Sequence, residues 1–356
     1  MSSIFLTQSS RSRAGNGKML FGLGILVVLW NGGLTVFHGW QSFWWLALLV
    51  DFILVVGIAE LVGKTVSPGY IRLYEQSLSV LFPLLLLIAW ELIVGNEILN
   101  PDWFPPPTRI IQSLWELLTR FDDFTKTSLL GRPWLIPEAL RGKRPESLKD
   151  LLAESHLYAT LMRVFVGFFL GALPGILLGV VMGVSRTIRT LIDATLSAFY
   201  VLPKIAIFPI MMLVFPDPFG EGPKIAVVAI SVFFLVAINT MVGVRDIEPV
   251  YLEAGRNYGA RGLNLFRHVI LPGALPVVFA GLRLALGTAL IVIIAVEFVR
   301  AKTGVGFLTF YYWEILSPDK MYAGLVVVMV LGVLLTAALK QVEHWVMPWR
   351  RSDRTP

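Results

Sequence analysis

Glu253-Ala-Gly-Arg-Asn-Tyr-Gly-Ala-Arg-Gly-Leu-Asn-Leu-Phe-Arg-His-Val-Ile-Leu-Pro272 is a charged island between two long apolar runs, near 223–244 and 275–298. A connector between two membrane helices needs no internal order. This one nevertheless has the pattern of two short helices around a glycine hinge. Pro249 suits the first turn of a helix, where its missing N–H is no loss. Tyr251, Leu252, Gly255 and Tyr258 follow at helical spacing. Gly259 and Gly262 permit backbone angles that a side chain forbids. Leu263, Phe266, Val269 and Ile270 form a second apolar stripe, which Pro272 is expected to end. Short apolar faces on a polar loop mark an interaction site.

Composition sets the surroundings of that loop. Apolar residues make up 56% of the 356 positions and charged residues 15%, with a mean hydropathy of +0.73. A soluble domain carries more charge than this. Runs long enough to cross a bilayer lie near 19–37, 43–63, 78–95, 157–183, 190–214, 223–244, 275–298 and 321–343, so an all-α protein of about eight spans is expected. Arg11, Arg13, Lys18, Lys64, Arg72, Arg186, Arg189, Arg245, Arg256, Arg261, Arg267, Arg350, Arg351 and Arg354 fall on one side, whereas Arg300, Lys302 and Lys320 are nearly all that the short loops opposite hold. The bias puts both termini and the Glu253 loop in the cytosol. It also accounts for the pI of 9.5 without nucleic acid. With no cysteine, disulfides and thiolate metal sites are excluded. The first apolar run is too long for a cleavable signal and lacks a cleavage site.

Four parts follow along the chain. Residues 1–76 are a tail and a hairpin turned by His38-Gly39-Trp40-Gln41, and residues 77–156 are one span and a long outside loop. Residues 157–350 hold five spans with the 245–274 loop, and 351–356 are a tail. In the outside loop Phe104-Pro-Pro-Pro-Thr108 is a stiff turn whose Thr108 can cap a helix to about Arg120. The apolar face of that helix, Ile110, Ile111, Leu114, Trp115, Leu117 and Leu118, suits either the outer leaflet or the top of the bundle. Residues 121–150 look irregular.

Glu253-Ala254-Gly255, then Gly259, then Val269-Ile-Leu271-Pro272 resembles the EAA coupling loop of ABC-importer permeases. Gly255 stands where that family commonly has alanine, and Val269 where isoleucine is common. Leu161-Met-Arg163-Val-Phe-Val-Gly167-Phe, Leu202-Pro203-Lys204-Ile-Ala-Ile-Phe-Pro209, Asn239-Thr240 with Gly243, Gly281-Leu-Arg283-Leu, and Glu297 with Gly304-Val-Gly306-Phe extend the likeness. It covers roughly 78–120 and 157–350. The resemblance implies a type I permease bundle of six core spans in the bacterial inner membrane, to which the first hairpin is an addition. It implies two associated copies, a homodimer being favoured, with an ABC ATPase docked on each loop. It further implies a solute-binding protein outside, ATP and Mg²⁺ held by the ATPase with no cofactor on this chain, and a cargo from the nitrate, sulfonate, taurine and bicarbonate group. An ion-coupled secondary transporter, with Lys204, Glu297 and Asp51 as coupling groups, is the alternative from another class.

Few residues suggest chemistry. Gly57-Ile-Ala-Glu-Leu-Val-Gly63-Lys64-Thr65 has five residues where a phosphate loop needs four, so Lys64 reads as an interfacial anchor. No catalytic triad or carboxylate pair can be built, and the four histidines lack metal-ligand spacing. Gly167, Gly171, Gly175, Gly179 and Gly183 form a flat strip suited to helix packing, a subunit interface or a moving gate. Lys204, inside its span, either lines an anion path or bonds to carbonyls freed by Pro203 and Pro209, or pairs with Glu297. Asn239 and Glu297 are the other path candidates. Arg163 and Arg283, nearer span ends, are expected to snorkel. Counting rise from the outer turn sets Asn31 and Asp51 at one depth, where a hydrogen bond would lock the hairpin.

Overall fold

The computed structural model describes residues 19, 22–33, 39–122, 127–142 and 147–349. It is helical, and among the described residues six helices are long and apolar enough to cross a membrane, or seven if one bent pair counts as a span. Of the first expected span, 19–37, the described helical part long enough to name is the short apolar helix α1 (Gly22–Gly33). The terminal basic residues counted for orientation, Arg11, Arg13, Lys18, Arg350, Arg351 and Arg354, lie outside the described residues.

The chain divides into two compact units, Met1–Arg109 and Ile110–Pro356. In the first, α2 (Gly39–Thr65) and α3 (Ile71–Gly95) follow α1. Of the expected turn His38–Gln41, His38 lies outside the described residues and Gly39, Trp40 and Gln41 are helical, with a break in α2 at Phe43. The Asn31 Nδ2–H donates to Asp51 Oδ1 at 3.0 Å, as depth counting anticipated. Lys64 pairs with Glu60 at 2.7 Å one helical turn back, so the phosphate-loop look-alike is the end of a helix. Thr108 does not cap α4 (Pro107–Thr119) with its own side chain. The Glu91 carboxylate instead accepts from the Thr108 N–H (3.0 Å) and hydroxyl (2.7 Å), placing negative charge at a helix N-terminus.

In the second unit a cap follows α4 where an irregular insertion was expected, described over residues 127–142 and 147–155. It contains α5 (Ile136–Leu140) and α6 (Leu148–Ala153), the latter opened by a reciprocal Ser147–Asp150 capping box. Those Ser147 bonds hold the Asp150 carboxyl below the usual carboxylate range. Leu129, Leu135 and Leu151 are buried beneath, and Arg132 grips Glu154 through two hydrogen bonds of 2.8 and 2.5 Å. Ser155 caps α7 (His156–Val184) by accepting from the Tyr158 N–H.

After α7 come α8 (Arg186–Val201) and α9 (Phe208–Val214), where one span near 190–214 was expected; the pair is bent by 95°. Proline biases the residue before it away from helical angles, and Leu202 before Pro203 has φ −57, ψ 135. The bend leaves an apolar recess of about 580 Å³ between Phe199, Leu202, Met211, Phe233 and Phe234. Next is α10 (Glu221–Arg245). It packs on α7 through the glycine strip: residues 228, 232, 236, 240 and 244 meet 167, 171, 175, 179 and 183. Every pair differs by 61 positions (228 − 167, 244 − 183), so the two helices are parallel. Two parallel spans require the segment between them to recross the apolar layer, which makes the bent α8–α9 pair a span.

The remaining helices are α11 (Pro249–Asn257), α12 (Leu263–Leu265), α13 (Leu271–Arg300), α14 (Val305–Glu314) and α15 (Pro318–Val346). α10 and α13 are antiparallel, Gly243 against Val277 and Gly281 against Asn239.

Candidate functional site

The 245–274 loop is built as two packed helical pieces. Pro249 occupies the first turn of α11. Its other end is a Schellman motif: Ala260 N–H donates to Gly255 O and Gly259 N–H to Arg256 O, both at 2.9 Å. That motif needs a left-handed residue, and Gly259 supplies it with φ +84. The second piece differs from expectation. Pro272 does not end it, because a π-helical turn over Phe266–Ile270 joins α12 to α13, and Leu271 N–H donates to Phe266 O. Shifting the ladder by one residue lets Pro272 sit in the first turn of α13, where a missing N–H is tolerated. Leu263–Val299 thus forms one stiff helical rod of 37 residues.

Gly255 faces the second piece. A Cβ there would stand 2.9 Å from Val269 Cγ2 and 3.0 Å from Leu265 Cδ1. The two positions that depart from the common family pattern therefore meet in one contact, and both are smaller than usual. Glu253, Ala254, Arg256, Tyr251 and Leu271 are exposed, and Tyr258 is 94% exposed. The loop's inward face closes on itself while its outward face, Val250, Tyr251, Tyr258 and Leu263, is left open.

The three path candidates occupy three different places. Lys204 sits at the α8–α9 bend, where its ammonium donates to the carbonyls of Phe199 (3.2 Å), Leu202 (2.9 Å) and Tyr200. It also lies 5.3 Å above the Tyr200 ring. These are the carbonyls that the end of α8 leaves without helical partners, and a cation is favoured there. Asn239 bonds to its own helix, at Leu235 O, and packs into the space left by Gly281. Glu297 lies elsewhere, at the far end of α13. Its expected alternative partner, Lys204, is not its partner.

That partner is Arg163, and snorkelling is not what Arg163 does. It is 1% exposed and Glu297 is 0% exposed. Arg163 Nη1 donates to Glu297 Oε1 at 2.7 Å and to Thr303 O at 2.6 Å, while its Nε and Nη2 bond to the Glu221 carboxylate. Lys224 adds a second cation to Glu221 at 3.0 Å. Two carboxylates and two cations therefore balance. The same cluster caps α14: the N–H groups of Gly304, Val305 and Gly306 donate to His156 Nδ1 (3.0 Å), Thr160 Oγ1 (2.8 Å) and Glu297 Oε2 (2.9 Å). Thr160 completes the ring by donating to the Glu297 carboxylate at 3.0 Å. Gly304 is obligatory, with φ +129 and a would-be Cβ 2.3 Å from Glu297 Cδ. Glu297 lines no open path in this structure. Arg283 likewise pairs, with Glu343 of α15.

The sequence pointed to Glu297 and the Gly304/Gly306 pair but not to their partners. Arg163, Glu221, Thr160 and His156 lie on other helices, 58 positions apart in the Arg163–Glu221 case and 134 in the Arg163–Glu297 case. The one available signal was an arginine, a lysine and two glutamates in runs otherwise nearly free of charge, which must neutralise one another if buried. The glycine strip lies wholly inside the unit. A Cβ at Gly171 would approach Ala229 O to 2.2 Å, and one at Gly179 would approach Ala237 O and Thr240 Cβ to 2.6 Å. No group of three His, Cys, Asp or Glu able to hold a metal occurs among the described residues.

Comparison with known proteins fits this geometry. Residues 175–347 match the family model "Binding-protein-dependent transport system inner membrane component". The chain is 28% identical to the taurine transport system permease protein TauC of Escherichia coli over 77% of this chain and 90% of that protein. It is 31% identical to the putative aliphatic sulfonates transport permease protein SsuC of E. coli, over 75% and 89%. Bacillus subtilis SsuC is 27% identical over 83% and 94%. A multi-span helical chain with a structured EAA-type loop, matched over nine-tenths of such relatives, belongs to the inner-membrane permeases of binding-protein-dependent ABC transporters.

Proposed function

We propose that this permease carries a small anionic solute of the sulfonate, taurine, nitrate or bicarbonate type inward, powered by an ABC ATPase docked on Glu253–Pro272. The open face of that loop carries the reading: four large apolar side chains exposed on a motif closed by its own Schellman turn. A push on the loop enters α13 without a flexible joint, since the π turn keeps the rod continuous, and passes to α10 at the Gly281–Asn239 and Gly243–Val277 contacts. This chain hydrolyses nothing; ATP and Mg²⁺ belong to the ATPase. Two copies, favoured as a homodimer, enclose the path, a solute-binding protein delivers cargo outside, and both termini face the cytosol. Of the path candidates, Lys204 keeps a charge that no carboxylate among the described residues neutralises, which supports an anionic cargo. The ion-coupled alternative is weakened at two of its three groups, because Glu297 is bound within a neutral cluster and Asp51 is bound to Asn31.

The test is Gly259→Val. A β-branched residue at φ +84 strains the Schellman turn by roughly 1–2 kcal/mol, with no clash to relieve. Membrane levels stay normal while cargo-stimulated ATP turnover falls. Unchanged stimulation and uptake would sink the docking assignment.

A further inference from the structure

The helix α4 carries an apolar sector twice as wide as the bundle uses. At about 100° per residue, Ile110, Leu114 and Leu117 fall together and face inward; Ile110 and Leu117 are buried and Leu114 half-buried. Ile111, Trp115 and Leu118 fall in the adjoining sector and are 66%, 68% and 37% exposed. Thr108, Gln112 and Thr119 fill the next sector and are exposed. Protein, an open apolar strip and a polar face thus follow one another around the helix.

Two ties fix the level of this helix. Glu116 Oε2 lies 3.7 Å from Lys320 Nζ, in the first turn of α15. Leu117 and Arg120 share a cavity of about 30 Å³ with His156, the first residue of α7. The helix therefore lies across the starts of two spanning helices, at the edge of the apolar layer. The exposed strip lies at that level.

We propose that Ile111, Trp115 and Leu118 are a lipid-seated strip, inserted at the headgroup–acyl boundary of the leaflet where α7 and α15 begin. Trp115 is suited to that boundary, since its ring is apolar and its indole N–H can reach headgroups or water. The polar sector faces the aqueous side, and Glu116, beyond that sector, reaches Lys320. The inference rests on the spanning assignment of α7 and α15 and is independent of the coupling loop.

The chain has no cysteine, so single-cysteine labelling is unambiguous. Nitroxides at Ile111→Cys, Trp115→Cys and Leu118→Cys would be read in the full-length protein in phosphatidylethanolamine–phosphatidylglycerol nanodiscs. Collision rates with oxygen and with a water-soluble nickel chelate are compared with Gln112→Cys in the polar sector and Met329→Cys mid-span on α15. The expected oxygen-to-nickel ratio is several-fold above that of Gln112 and below that of Met329 at all three positions. A ratio equal to that of Gln112 places the strip in water and overturns the proposal. Shielding from both reagents means a protein, such as a second copy, covers it, and overturns it equally. If Met329 also reads as aqueous, the spanning assignment itself fails.

Discussion

Replacing Arg163 with methionine keeps most of the side-chain volume and removes the guanidinium that two carboxylates share. Glu221 loses little, because Lys224 stays at 3.0 Å and its side chain is 42% exposed. Glu297 is left fully buried, with only the Thr160 hydroxyl and the Gly306 N–H as donors. Stripping one partner from a buried ion pair costs about 3–5 kcal/mol. Membrane proteins fall toward the low end, since hydrogen bonds there average only about 0.6 kcal/mol. A loss of about 3 kcal/mol is therefore expected. Glu297→Gln removes the charge but keeps a carbonyl acceptor, for a loss of about 1–2 kcal/mol. The double variant should be better than the sum of the two by about 2 kcal/mol, because the stranded charge is gone. Equilibrium unfolding in mixed micelles with increasing sodium dodecyl sulfate, followed by tryptophan fluorescence, reads all three. Arg163→Met within about 0.5 kcal/mol of the parent, or strict additivity, would refute the reasoning.

Two further outcomes follow from the same contacts. Gly171→Ala, whose methyl must displace the Ala229 carbonyl 2.2 Å away, should destabilise by about 1–3 kcal/mol in that assay; Gly287→Ala, with nothing within 4 Å, should not. Lys204→Met should lower uptake of an anionic cargo with ATPase assembly intact, and Glu297→Gln should not rescue it, because Glu297 belongs to Arg163.

Much of this was legible because membrane helices write themselves as composition. The long runs, the knuckle with Pro249 and Gly259, and the Asn31–Asp51 bond needed only rise, propensity and depth. Prolines were harder, since one residue has opposite meanings. Pro203 breaks a span, whereas Pro272 sits harmlessly in a first turn, and Pro83, Pro174 and Pro276 lie inside helices. In Leu202-Pro203-Lys204 the charge is plain in the sequence, although the geometric consequence of Pro203 is the larger one. The glycine strip announced close packing but not its partner, because a flat surface fits any other. The Arg163 cluster was hidden for the same reason: it exists only once α7, α10 and α13 are brought side by side, and sequence separation conceals that.

Photo-cross-linking from Tyr258 tests the central claim most directly. With no native cysteine in the chain, a benzophenone maleimide on Tyr258→Cys reports on one surface alone. Membranes containing the co-expressed ABC ATPase are irradiated, and adducts are identified by mass spectrometry. Trp134→Cys, 61% exposed in the cap, serves as the control from the opposite side. The account predicts an ATPase adduct from Tyr258 and none from Trp134. An assembled, ATP-hydrolysing complex that gives no adduct at Tyr258, or gives one at Trp134, would contradict it.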